Sequence, residues 1–126
     1  MKEPTRKKIL VIDDSETNLV LLKAVLEDAG YDVLMAGGSK DAFQFYQTDK
    51  PDLILLDLLM PEEDGFMFME KLKNGSVEMD VPVIVVTAYA NRENQERAKD
   101  LGARDIIEKP IDIPEFLMKI NSAISN

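Results

Sequence analysis

Reactive side chains follow apolar runs at four places in this sequence. Asp13-Asp14 closes ILVI, Asp57 closes LILL, Thr87 closes VIVV, and DIIE leads into Lys109-Pro110. Gathered in one place, these residues would supply three carboxylates, one hydroxyl and one ammonium. Carboxylates that close repel one another. Each like-charge pair at ~4 Å costs roughly 4 kcal/mol at an effective dielectric of ~20. Two or three such pairs would rival a folding stability of ~5–15 kcal/mol. Such a cluster therefore takes up a proton or a hard divalent cation. The chain has no histidine and no cysteine, and all-oxygen ligation favours Mg²⁺ or Mn²⁺ over zinc. A lysine ammonium and a hydroxyl beside such a cation would complete a pocket for a tetrahedral dianion. In that pocket Asp57 is the candidate nucleophile, able to carry a phosphoryl group as an acyl phosphate.

Taken singly, each residue also has a plainer explanation. Asp13 or Asp14 could cap a helix, and Asp57 could be a simple strand-end carboxylate. Thr87 is a common strand residue, Lys109 could be solvated, and Pro110 could mark only a turn. Whether the residues meet depends on the elements that carry them.

Those elements alternate along the whole chain. Strand candidates are Ile9–Ile12, Val33–Ala36, Leu53–Leu56, Val83–Val86 and Ile106–Ile107. They read as unbroken Val/Ile/Leu, which suits strands buried on both faces. Five helix candidates lie between and after them. Ser15–Ala29 carries Leu19, Leu22 and Leu26 and stops at Gly30. Ser39 is a candidate cap for the second helix, with Ala42, Phe43 and Tyr46 inward, and Asp64 for the third, with Met69 and Leu72 on one side. The fourth spans about Asn91–Leu101 before Gly102. Asp112 is a candidate cap for the fifth, where Pro114 sits in the first turn and Phe116, Leu117, Ile120 and Ile124 form a face. The pattern predicts an α/β fold with a five-stranded parallel sheet, right-handed crossovers and helices on both sides. In such a sheet every strand ends at one edge, where open α/β folds bind ligands. The second strand ends in Ala36-Gly37-Gly38 and brings no reactive side chain there.

Composition narrows the function. A length of 126 residues suits one domain. Acidic residues outnumber basic ones 24 to 15, a net charge of −9 that argues against direct nucleic-acid binding. No apolar run approaches the ~18 residues of a membrane span. The opening MKEPTRKK has no apolar signal stretch, so a cytoplasmic location and no membrane partner are expected. Lacking Gly-x4-Gly-Lys-Ser/Thr, the chain has no P-loop.

With these residues in view, the sequence resembles the receiver domain of two-component response regulators over essentially residues 1–126. The likeness rests on ILVIDDS (9–15), DLLMPEEDG (57–65), VIVVTAYA (83–90) and GARDIIEKPID (102–112). It implies a doubly wound, flavodoxin-like sheet in the order 2-1-3-4-5. It also implies that Asp57 is the phosphoacceptor and that Asp14 and Asp57 ligate Mg²⁺ directly. Asp13 would act through water and Leu59 through its backbone carbonyl, while Thr87 and Lys109 read the phosphoryl oxygens. By the same resemblance Lys109-Pro110 is a cis peptide. The phosphoryl donor would be a phosphohistidine on a histidine kinase or histidine phosphotransfer protein. The output would be altered binding of a downstream effector, or a phosphorylation-dependent dimer, through helix four, strand five and helix five.

Three positions depart from the family's usual pattern. Ile106 stands where many receivers carry a switching aromatic, which puts the usual coupling in doubt. Leu59 and Tyr89 occupy places where receivers tune the access of attacking water, and both could equally be packing residues. The leading expectation is a regulatory phosphoacceptor rather than an enzyme. The alternatives are a small Mg²⁺-dependent aspartyl-phosphate phosphohydrolase and a degenerate receiver acting as a scaffold.

Overall fold

The computed structural model describes residues 6–58, 65–74 and 81–125. The elements follow in strict alternation: β1 (Lys8–Ile12), α1 (Glu16–Asp28), β2 (Asp32–Ala36), α2 (Ser39–Asp49), β3 (Leu53–Leu56), α3 (Gly65–Asn74), β4 (Val83–Thr87), α4 (Arg92–Asp100), β5 (Asp105–Glu108) and α5 (Ile113–Ser125). The five strands form one parallel sheet in the order β2-β1-β3-β4-β5. This is the doubly wound, flavodoxin-like α/β fold expected from the sequence.

The apolar strands divide their side chains between two layers. Ile9, Val11, Leu53, Leu55, Ile84 and Val86 pack with Leu22 and Leu26 of α1 and Phe116, Ile120 and Ala123 of α5. The alternate residues Leu10, Ile12, Ile54, Leu56, Val83 and Val85 pack with Ala42 of α2, Phe66, Phe68, Met69 and Leu72 of α3, and Ala98 of α4. A strand with a core on each side needs apolar residues at every position, which is why the runs show no alternation. Burying each such large side chain contributes roughly 1.5–3 kcal/mol.

Two glycines end helices where the sequence marked a stop. Gly30 follows α1 at φ 98° and Gly102 follows α4 at φ 99°. Beyond them the Tyr31 and Ala103 amides donate back to the carbonyls of Leu26 and Ala98, closing each helix with a left-handed residue. The second helix differs from expectation. Ser39 is its first helical residue, and Gly38, extended at φ −172°, occupies the cap position without a side-chain hydrogen bond. The expected cap Asp64 lies outside the described residues.

α4 is the most lightly anchored helix. Of its nine residues only Ala98 is buried. The Asn91 side chain caps it by accepting the Asn94 amide at 2.8 Å. Arg97 lies 4.3 Å over the Phe66 ring and 3.7 Å from Glu70, tying α4 to α3. Among the described residues, no helix is long and apolar enough to cross a membrane.

Candidate functional site

Strand register aligns the reactive residues. Ile12 pairs with Leu56, Leu56 with Val85, and Thr87 with Glu108. Asp13 and Asp57 therefore leave neighbouring strands at the same level. The ladder runs one step beyond the strands: Asp13 N–H donates to Ala36, Asp57 N–H to Ile12 and Lys109 N–H to Thr87, at 3.1, 3.0 and 2.9 Å. These backbone bonds hold the polar residues as firmly as the strands that precede them.

The side chains then converge. Carboxylate oxygens of Asp13, Asp14 and Asp57 all lie within 4.8 Å of one another. Asp13 is 2% exposed and Asp57 9%, whereas Asp14 faces solvent. Lys109 reaches across from the end of β5 and donates to Asp13 Oδ2 at 2.9 Å and Asp57 Oδ2 at 3.4 Å. Burial pulls the Lys109 ammonium toward a lower pKa. The hydrogen bond to Asp13 and the charges of Asp57 and Asp13 outweigh that, so its net shift is upward. Lys109 thus stays charged and partly neutralises the three acids. The Lys109-Pro110 peptide is cis, as the resemblance implied.

Asp13 has further partners that sequence reasoning missed. Its Oδ1 accepts the Ser15 amide at 2.9 Å, and its Oδ2 faces the Asn18 amide nitrogen at 3.4 Å. Asn18 sits on α1, so its meeting with Asp13 depends on how that helix turns back over the sheet. The five-residue spacing is the only trace of it in the sequence.

Thr87 is fully buried at the end of β4, and its Oγ1 accepts the Tyr89 amide at 3.1 Å. That bond uses a lone pair and leaves the hydroxyl proton available to an acceptor at the rim. Tyr89 itself is 56% exposed. Ile106 is half-buried and packs with the α2–α3–α4 layer, so no ring lies between β5 and α4 at that position. Leu59 lies outside the described residues.

Gly65 explains how α3 begins so near the acid cluster. Its amide donates to the Leu58 carbonyl at 2.8 Å. A Cβ at this position would meet the Asp57 carbonyl oxygen at 2.5 Å and the Leu58 Cα at 3.0 Å. Both obstacles are backbone, so only glycine admits this approach.

The fold and rim together define a class: an open α/β sheet whose carboxyl edge presents clustered carboxylates, a buried hydroxyl and a charged lysine. Residues 9–121 match the response regulator receiver domain, and the chain belongs to that family of regulatory phosphoacceptors. It is 32% identical over 120 residues to the polar-differentiation response regulator DivK of Brucella anthropi, a match covering 95% of this chain and 98% of the relative. Among solved structures it is similar to the CheY-like response regulator receiver domain protein of Methanospirillum hungatei, with a TM-score of 0.88, 29% identity, and 96% and 95% of the two chains covered. The non-phosphorylated HemR receiver domain of Leptospira biflexa is similar too, with a TM-score of 0.86, 33% identity and 96% of each chain covered.

Proposed function

We propose that residues 1–126 act as one receiver domain, a switch that takes a phosphoryl group from a phosphohistidine onto Asp57. The donor is a histidine kinase or histidine phosphotransfer protein. The observation that carries this reading is the placement of Lys109 between Asp13 and Asp57 beside three mutually close carboxylates. The donor set fits a hard cation: all oxygen, one member exposed and two nearly buried. Asp14 and Asp57 would hold Mg²⁺ directly, with the Leu59 carbonyl, and Asp13 would support the ion through water. Its commitments to Ser15, Asn18 and Lys109 agree with that indirect role. Bound there, Mg²⁺ would supply positive charge for the phosphoryl oxygens.

In the transfer, an Asp57 carboxylate oxygen bonds to phosphorus as the bond from phosphorus to the donor's imidazole nitrogen breaks. The imidazole keeps that electron pair. Lys109 places its ammonium against the oxygens of the arriving group, and Thr87 donates its hydroxyl proton to one of them. β3 keeps Asp57 fixed and shielded while this happens.

The output is a changed α4–β5–α5 face that binds an effector or a second copy of the chain. Met118 of α5, 66% exposed, lies on the helix that belongs to this face. Treating the chain with phosphoramidate and Mg²⁺ tests the acceptor role by intact-protein mass. Wild type should gain one phosphoryl group and Asp57→Asn none; equal labelling of both would overturn it. Repeated turnover of small phosphomonoesters would instead indicate a phosphohydrolase.

Leu59 and Tyr89 are read as tuning residues whose apolar and aromatic character screens the acyl phosphate from water. Phosphate release after labelling should be faster in Leu59→Asn and Tyr89→Glu. Unchanged rates in both would remove that role.

A further inference from the structure

Lys109 and Asn18 donate to one atom. Lys109 Nζ holds Asp13 Oδ2 at 2.9 Å, and the Asn18 amide stands 3.4 Å from the same oxygen. The second contact is long for a hydrogen bond, so Lys109 is the tighter of the two donors on this oxygen. Meanwhile Lys109 is only 3.4 Å from Asp57 Oδ2, so it rests closer to Asp13 than to the acceptor.

This arrangement creates a difficulty that Asn18 resolves. To serve a phosphoryl group on Asp57, the ammonium must shift its weight away from Asp13. Asp13 is 2% exposed, so bulk water cannot readily replace the departing donor, and the metal-held water proposed above serves only one of its lone pairs. A buried carboxylate oxygen left without a partner is strongly disfavoured. Ser15 offers no remedy, because its amide is committed to Oδ1. Among the described residues, Asn18 is the one other donor aimed at Oδ2.

We infer that Asn18 is a positioning residue which takes over Asp13 Oδ2 as Lys109 moves to the phosphoryl group, and so sets how readily the lysine is released. This rests on the acceptor reading above and adds a residue to it. The side-chain contact of Asn18 is to Asp13, and it acts through that carboxylate. A neutral amide suits the task. It can satisfy the oxygen without adding a second cation that would hold Asp13 or repel Lys109.

Asn18 also lines a groove that is apolar apart from Lys109, with Leu21, Leu22, Val86 and Ile111. Asn18→Leu, nearly equal in shape, should therefore fold, and Asn18→Ala removes the amide without adding bulk. Two measurements test the inference. In metal-free melts, Lys109→Met should lower Tm by about 3–5 °C more in the Asn18→Leu background than in wild type, because Oδ2 then loses both donors. With phosphoramidate and Mg²⁺, both Asn18 variants should label about ten-fold more slowly than wild type, the low end of the scale for residues that orient the surroundings of a metal site. Additive melts, or labelling at the wild-type rate, would overturn the inference. A wild-type chain that takes no label sinks the acceptor reading instead, and the melts still decide whether Asn18 and Lys109 share the oxygen.

Discussion

At the scale of single residues, the acid cluster is held together by one lysine and relieved by one exposed member. Asp14 faces solvent while its carboxylate stays within 4.8 Å of two buried neighbours. Removing its charge lessens repulsion without opening a cavity. Asp14→Asn should raise metal-free stability, by up to about 1 kcal/mol given its exposure. The same change would remove a ligand of the proposed Mg²⁺ site. Wild type should gain Tm when Mg²⁺ is added, because a ligand that binds only the folded state stabilises it, and the variant should gain much less. Paired melts with and without Mg²⁺ check this. A variant that responds to Mg²⁺ as wild type does would contradict it.

The sheet, among the elements, was legible in the sequence because β1, β3 and β4 are apolar runs with a core on each side, while the edge strands β2 and β5 keep shorter apolar stretches. Its ends were less legible. Lys8, Asp32, Asp105 and Glu108 belong to strands although they are polar, since they pair through backbone at the margins. Ser39 looked like a cap because serine favours that place; the extended Gly38 before it takes the position instead. Asp13, Asp57 and Lys109 could be found because each follows an apolar run, and register brings such ends together. Asn18 could not, because its partner is fixed by the path of α1 and not by local pattern. Gly65 is the element-scale device that seats α3. Gly65→Ala would drive a methyl into the Asp57 carbonyl, and overpacking of this kind costs roughly 1–3 kcal/mol. Urea denaturation should show a lower midpoint with an unchanged slope.

For the molecule as a whole, the alkaline limb of stability has a definite sign. Folding raises the pKa of Lys109 despite its burial, through its bonds to Asp13 and Asp57, and desolvation raises that of Tyr31. A group that binds its proton more tightly when folded stabilises fully below its unfolded value. That contribution fades as pH climbs through the folded one. Stability should therefore fall above the ordinary values of 10.0 for tyrosine and 10.5 for lysine. Metal-free Lys109→Met should show a shallower decline there, measured by urea titrations across alkaline pH. An identical slope in both proteins would assign the effect elsewhere.

A single methyl group, that of Ala98, is the whole buried stake of α4 in the interior. Lifting that helix would surrender little apolar area, while the sheet and the four other helices kept theirs. The free energy separating its seated and displaced forms is therefore a small fraction of the total. The Arg97 contacts to Phe66 and Glu70 of α3 are then among the few ties that a displacement of α4 would have to break.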